Sequence, residues 1–511
     1  MKPNHLFSTA LLALTLAAGG CAHIPSVGPD YQPPKVSSPS QWDETLAGGE
    51  TNSNASVAGW WKNFHDSELD SLINRAASSN LDLRIAQARV REARAEYGIA
   101  AGNLWPIINA DGSYARQRQS PNQPLLIPSV PVPLVDNDYQ AGFDASWEID
   151  IFGGQRRTVE AAKAQVAAAE FGQRDVLVSL LGEVARNYVE ARGYQRRLEI
   201  TRANIRAQEQ VLALTQNQFT NGLANNLDVQ QAATLLATTR AQVPTLETAL
   251  QMSIHRLGVL LGQQPGALQN ELSIAAPIPA APPTVPVGLP SDLLLRRPDV
   301  AQTERQLAAA TANIGVAKAD LFPKFYLTGI AGFQGVSAAD WFDAGSRFWS
   351  LGPTVQWNIF DAGRIRSNIK VQNARQQEAL ASYEKTTLSA FEDVENGLTA
   401  YAKEQVRRRA LEDAVKSSQE SLRLSKQLYA NGLSDFINVL DAERSLYQAQ
   451  DDLVQSDTTV STDLISLYKA LGGGWEVEPQ QLSSAELSPS GTHNQIASSV
   501  SSRQTMAGRT P

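Results

Sequence analysis

Few residues in this 511-residue chain are arranged to do chemistry. Its five histidines are scattered without ligand spacing, no GxxxxGK[ST] phosphate loop occurs, and GIAGFQG (329–335) has the alternation of a strand rather than a dinucleotide loop. The chain therefore carries no energy source or reaction centre of its own. Instead, one phrase is written twice: FTNGLANNLDVQQA at 219–232 and YANGLSDFINVLDA at 429–442. Each sets a turn-forming Asn-Gly-Leu between helical stretches, with Gly222 or Gly432 free to take the positive φ such a turn often needs. In the second copy Asp441 stands opposite Gln231 of the first, and Ile437 and Asp441, four residues apart, share one helical face. A single Asp on a helix is ordinarily a solvated side chain, so the elements around it decide what it does.

Bulk composition narrows the choices. The formal charge is −8 and no Lys/Arg block occurs, which excludes the concentrated basic surface of a nucleic-acid binder. Aromatic residues are 7% and charged residues 19% of a chain dense in Ala, Leu, Gln and Ser, a balance suited to long helices packed through small side chains. The N-terminus has the layout of a secretory signal over 1–20, with Lys2 ahead of an apolar run too short to span a bilayer. Cys21, the only cysteine, follows Ala17, Ala18, Gly19 and Gly20, where a bacterial lipoprotein is cleaved and acylated, although Leu is commoner than Ala18 at its position. With one cysteine no intrachain disulfide can form, so the fold must hold by packing.

Internal repetition organises the rest. LDLRIAQARVREARAEYGIAAGNLWP (81–106) is echoed by PDVAQTERQLAAATANIGVAKADLFP (298–323), and WEIDIFGGQR (147–156) by WNIFDAGR (357–364), each followed by one copy of the Asn-Gly-Leu phrase. The order predicts a duplication: a first repeat over 66–264, a Pro-rich linker over 265–290 and a second repeat over 291–474. An extended N-terminal segment (21–65) precedes them and a Ser/Thr/Gln/Pro-rich tail (475–511) of disordered composition follows. Proline-free runs near 154–220 and 361–430 predict helices about 100 Å long. After each turn an apolar seven-residue repeat begins, Val229, Leu236, Val243, Leu250 and Leu257 in one half, and Val439, Leu446, Leu453, Val460 and Leu467 in the other. Such a period predicts left-handed coiled-coil packing, with Pro244 kinking the first copy.

Between the helices the period changes to two. In YQAGFDASWEID (139–150) and FWSLGPTVQWNIF (348–360) one face is apolar and aromatic and the other polar; IINADGSYARQRQ (107–119) and FYLTGIAGFQG (325–335) are less regular partners. Aromatic-flanked dry faces opposite wet ones fit a lipid-facing barrel with an aqueous lumen, against the alternative of a globular sheet with one wet face. Four strands cannot close such a barrel and an open edge in lipid is forbidden, so the barrel must be shared between chains. Pro353 lacks the ladder donor and is expected to mark a bulge.

These stretches, together with VGPDYQPP (27–34), WWKNFHDSELDSLI (60–73), LPSDLLLRRPDVAQTE (289–304) and YKALGGGW (468–475), resemble the TolC-like outer-membrane factor family, in its lipoprotein (OprM/NodT-type) branch. The resemblance covers nearly the whole mature chain. It implies a mixed α and β membrane protein, a homotrimer whose four strands per chain build one transmembrane β-barrel, continued by long antiparallel coiled-coil helices as a periplasmic α-barrel. It further implies passive export of drugs or other small molecules, in series with a periplasmic adaptor and an energised, proton-driven inner-membrane transporter. By resemblance Gly222, Leu223, Gly432 and Leu433 are adaptor-contacting tips, and Ile437 and Asp441 form an apolar and an acidic ring at the gate. Three such carboxylates around a narrow axis repel one another and attract cations. Asn438 departs from relatives that carry a second Asp. No cofactor or metal is implied, and the scarcity of Met after processing (Met252 and Met506) favours organic substrates over soft metal ions. A protein-secretion duct paired with an ATP-driven transporter, or a coiled-coil envelope protein without a pore, are the competing readings.

Overall fold

The computed structural model describes residues 26–35, 39–43, 50–51, 57–118, 120, 135–282, 285–288, 290 and 296–476. The signal segment, Cys21 and the tail beyond Glu476 lie outside them, as does most of the 120–138 loop, of which Val135–Asp138 belong to a strand. The chain runs through helices α1 (Ser67–Ser79) and α2 (Leu81–Gly102), strands β1 (Ile107–Arg118) and β2 (Val135–Ile149), and helices α3 (Gly154–Thr220) and α4 (Asn226–Leu260). Then come α5 (Pro298–Ala319), β3 (Lys324–Gly335), β4 (Arg347–Gln356), α6 (Arg364–Ala430) and α7 (Phe436–Ala470). The helices α3 and α6 each have 67 residues, α4 and α7 each 35, and α2 and α5 each 22, so the second half repeats the first in length as well as order.

No described helix is long and apolar enough to cross a membrane, which the heptads explain: each long helix buries one seam and leaves polar sides. In α7 the seam residues Val439, Val460 and Leu467 are buried, and in α4 Val229, Leu236 and Leu257 are. Helix α4 continues through Pro244, the position expected to kink; a missing donor costs one rung of the ladder but does not end a helix whose seam is packed on both sides of it.

One core joins both halves. Trp60, Trp61 and Phe64 from a short 3-10 helix within the N-terminal segment pack with Leu69 and Leu72 of α1, Tyr188 of α3, Leu257 of α4, Leu398 of α6 and Tyr468 of α7. The Trp60 and Tyr468 rings stack with centroids 5.3 Å apart. An N-terminal strap reaches this core from the sheet end. Val27 N donates to Phe152 O at 3.0 Å, Asp30 pairs with the buried Arg157 at 2.6 Å, and Trp42 Nε1 donates to Gly288 O at 3.0 Å.

The strands form one antiparallel sheet in the order β1-β2-β3-β4. Its register puts Ile108, Phe143, Leu327, Leu351 and Trp349 on one face, and Asn109, Asp111, Gln140, Asp144, Thr328 and Ser350 on the other. A one-residue slip would exchange the faces, so the alternation in each strand fixes the register. The apolar face is uncovered, with Trp349 78% exposed. Two expectations are corrected. Pro353 marks no bulge, because Tyr326↔Thr354, Leu327↔Pro353 and Thr328↔Gly352 pair consecutively; it is tolerated on an edge strand. The strand expected over 348–360 stops at Gln356, where Trp357 Nε1 turns to donate to Leu321 O at 3.1 Å. Asp361 then accepts from Gly363 N and Ile365 N, so α6 begins at Arg364 rather than 361.

Candidate functional site

Far from the sheet, both Asn-Gly-Leu phrases close their helices in the same way. Leu223 N donates to Gln218 O at 2.8 Å and Gly222 N to Phe219 O at 3.0 Å; Leu433 N donates to Leu428 O at 2.9 Å and Gly432 N to Tyr429 O at 3.0 Å. This paired closure of a helix end requires a left-handed residue, and the glycines supply it at φ 71° and 68°. A Cβ at either glycine would touch nothing within 4 Å, so backbone conformation alone demands glycine in the single chain. Leucine one residue past such a turn usually folds back onto its helix. Here Leu223 and Leu433 are 78% and 73% exposed.

The tips are neighbours. Tyr429 Oη donates to Gln218 Oε1 at 2.8 Å, linking the last turns of α6 and α3. Burial, and secondarily Asp228, pushes the Tyr429 phenol up, which keeps it a hydrogen-bond donor. Above the tips Phe436, Val439, Leu440, Ala232 and Leu235 form a small apolar cluster between the two hairpins, separate from the main core. Farther up, Arg197 grips Asp451 through two bonds of 2.7 and 2.9 Å, and Asn204 Nδ2 donates to Gln450 Oε1 at 3.2 Å. These polar links between α3 and α7 tie the second hairpin to the first.

Ile437 and Asp441 lie one turn apart on α7, turned out of that cluster, at 40% exposure for Ile437 and 58% for the Asp441 side chain. The sequence reading missed Arg444, whose Nη1 lies 3.3 Å from Asp441 Oδ1. An Asp-x-x-Arg spacing on a helix was the available signal. The acidic position is therefore charge-paired in the single chain. It also missed Glu443, buried on the opposite side of α7; Lys426 Nζ of α6 lies 2.9 Å from its Oε1, a charge pair outside hydrogen-bonding geometry. Cys21 lies outside the described residues, but the strap beginning at Ser26 packs on Gly153 at the foot of the sheet. Among the described residues no group of His, Cys, Asp or Glu has metal-binding geometry.

Comparison with known proteins gives this arrangement a context. The sequence profile described as "Outer membrane efflux protein" matches residues 72–263 and again 289–473. The solvent efflux pump outer membrane protein SrpC of Pseudomonas putida is 34% identical over 93% of this chain and 99% of its own length. The cation efflux system protein CusC of Escherichia coli is 31% identical over 91% of this chain and 98% of its own. Among solved structures, the outer-membrane channel OprN superposes with a TM-score of 0.83 at 35% identity, covering 88% of this chain and 99% of that one.

Proposed function

Because this chain belongs to the outer membrane efflux protein family, we propose that it is the outer-membrane exit duct of a tripartite efflux pump, passing drugs or other small molecules from periplasm to exterior. The observation that carries the reading is the sheet: four strands in one register, one face uncovered and apolar apart from its far end, the other polar, with β1 and β4 unpaired at its edges. Unpaired edges in lipid are unaffordable, so copies of the chain complete one another's ladder. Three copies make a twelve-stranded barrel, within the range of membrane barrels, and their long helices continue it as an α-barrel in the periplasm. Equal element lengths and the twofold profile match support an origin by internal duplication. Acylation of Cys21 would anchor the strap beside the membrane end of α3.

In this reading Gly222, Leu223, Gly432 and Leu433 meet a periplasmic adaptor, their exposed leucines and bare glycine backbone suiting a close-fitting partner. Ile437 and Asp441 narrow the inner end, and the free energy of transport comes from an inner-membrane proton-driven transporter. Relatives are named for solvents, toluene, pyoverdine and cations, so the duct fold accepts varied cargo. Small organic molecules fit this chain better than soft metal ions, since Met252 is the one methionine among the described residues. Cross-linking the purified protein in detergent and measuring drug accumulation in a deletion strain, with and without the gene restored, test the reading. It predicts a trimer and an accumulation defect cured by the gene; a monomer, or accumulation indifferent to the gene, contradicts it.

A further inference from the structure

Charge in the sheet is sorted by face in a way that lumen chemistry does not require. On the polar face stand Asp111, Asp136, Asp138, Asp144 and Glu148, with Lys324. The opposite face carries no acidic residue along any of its four strands, and its only charged side chains are Arg116, Arg118 and Arg347. All three lie toward the end of the sheet remote from the helices, where the β1–β2 and β3–β4 connections are made. All three are exposed, and none has a side-chain hydrogen bond or ion pair among the described residues. They also lie on β1 and β4, the two unpaired edges.

The sequence of chemistry along this face is graded. Nearest the helices Trp147 and Phe325 stand among Ile149, Leu327 and Val355, and the aliphatic Leu351 and Ala145 follow. Next comes an aromatic band in which Tyr114 and Tyr139 lie 4.8 Å apart, Tyr139 and Trp341 5.5 Å, and Phe333 and Phe342 5.5 Å. Arg116 follows Tyr114 by one step on the same face, and Arg347 pairs with Phe333. From mid-sheet outward, acyl chain, interface and headgroup of a lipid follow in the same order. A cation beyond the aromatic band, without a side-chain partner among the described residues, stands where a lipid phosphate would supply one.

We propose that Arg116, Arg118 and Arg347 form a binding site for the phosphate groups of anionic lipid in the outer leaflet. This rests on the barrel reading above. When copies share the barrel, β4 of one edge meets β1 of the next, so arginines from two copies flank each seam, and a lipid phosphate bridging them strengthens that seam. Guanidinium suits the task because it offers paired donors to phosphate oxygens and sheds its hydration more readily than ammonium.

The test uses the full-length trimer reconstituted in phosphatidylcholine vesicles with and without phosphatidylglycerol or lipopolysaccharide. Retained lipid is counted by native mass spectrometry, and trimer persistence on heating is followed on gels. Wild type should retain the phosphate-bearing anionic lipids preferentially and gain heat resistance from them. Preference should fall about fivefold per arginine lost in R116Q, R118Q and R347Q, the size expected of one charge at an anionic surface. R347K should keep most of it, and inorganic phosphate should not replace the lipid. Equal retention by wild type and the single and triple variants, all inserted as trimers, overturns the proposal while leaving the barrel standing. A label at L351C that brominated acyl chains fail to quench would show instead that the face does not meet lipid, and the barrel reading itself would fall.

Discussion

Helices α3 and α6 are twins in length and opposites in cover. Along α3 buried positions run from Arg157 to Thr215, and the helix packs against α1, α2, α4, α5 and α7. In α6 they are confined to Tyr383 through Ala402, and its extensive neighbours are α5 and α7 alone. Val371, Leu388, Val406 and Leu424 stand exposed on it. Elements of equal length thus differ in role: α3 is the frame, while α6 is buried only where the shared core grips it and leaves apolar side chains uncovered, as the proposed assembly of copies requires. Below Ala402 the second hairpin is held to the first by polar links and one small apolar cluster, the less firmly held end that the proposed gate would use.

The largest effects should come from core and uncovered positions of α6. Leu398→Ala removes a fully buried side chain and should cost about 3 kcal/mol in denaturant unfolding. Leu388→Asp should leave single-chain unfolding within about 0.5 kcal/mol yet prevent trimer formation by light scattering, because in the proposed assembly its exposed site is covered only when copies meet. Equal costs for the two substitutions would erase the distinction between frame and free face.

Next in size is the proposed gate pair. Asp441→Ala should lower cation preference in bilayer conductance, and Arg444→Ala, by freeing the carboxylate, should raise it. Shifts in the same direction would remove the pair from the conduction path.

Much of this contrast was already readable. The duplication and the period-two strands announced themselves because each repeats over many residues, and the register followed from the faces. Local chemistry that interrupts a pattern was harder to see. Asp361 ends a strand-like run by capping a helix, Ala362 takes φ 56°, and no periodicity signals either. The tips show the same limit. Asn225 accepts from Asp228 N while the Asp228 side chain accepts from Asn225 N, whereas Asp435 caps α7 with no side-chain bond. Asn225→Ala should therefore cost about 1 kcal/mol and Asp435→Ala almost nothing, measured by thermal unfolding. A residue's role at the gate was legible only through resemblance, since nothing in the spacing of Ile437 and Asp441 distinguishes a pore-lining face from a wet one.

The smallest effect concerns α7 three residues past each seam position, where Ala442, Ala449, Ser456 and Ala470 recur every seven residues and Asp463 takes the one larger, acidic place. Burial, and then Glu404 of α6, raises its carboxyl from 3.8 to about 6. Its charged form is the disfavoured one in the folded chain, so this group's contribution to stability is fully present below about pH 4 and is lost as pH rises through about 6. Asp463→Asn should flatten unfolding between those values and raise stability at neutral pH; an unchanged pH profile would mean the carboxylate is solvated.

Single-channel recording in planar bilayers addresses the central claim most directly. Purified trimer, with no adaptor or transporter present, should insert and give discrete, cation-preferring conductance steps, enlarged when the Arg197–Asp451 link is cut by Arg197→Ala. Protein that assembles and binds bilayers without any conductance, in wild type and Arg197→Ala alike, would contradict a duct and leave a coiled-coil scaffold.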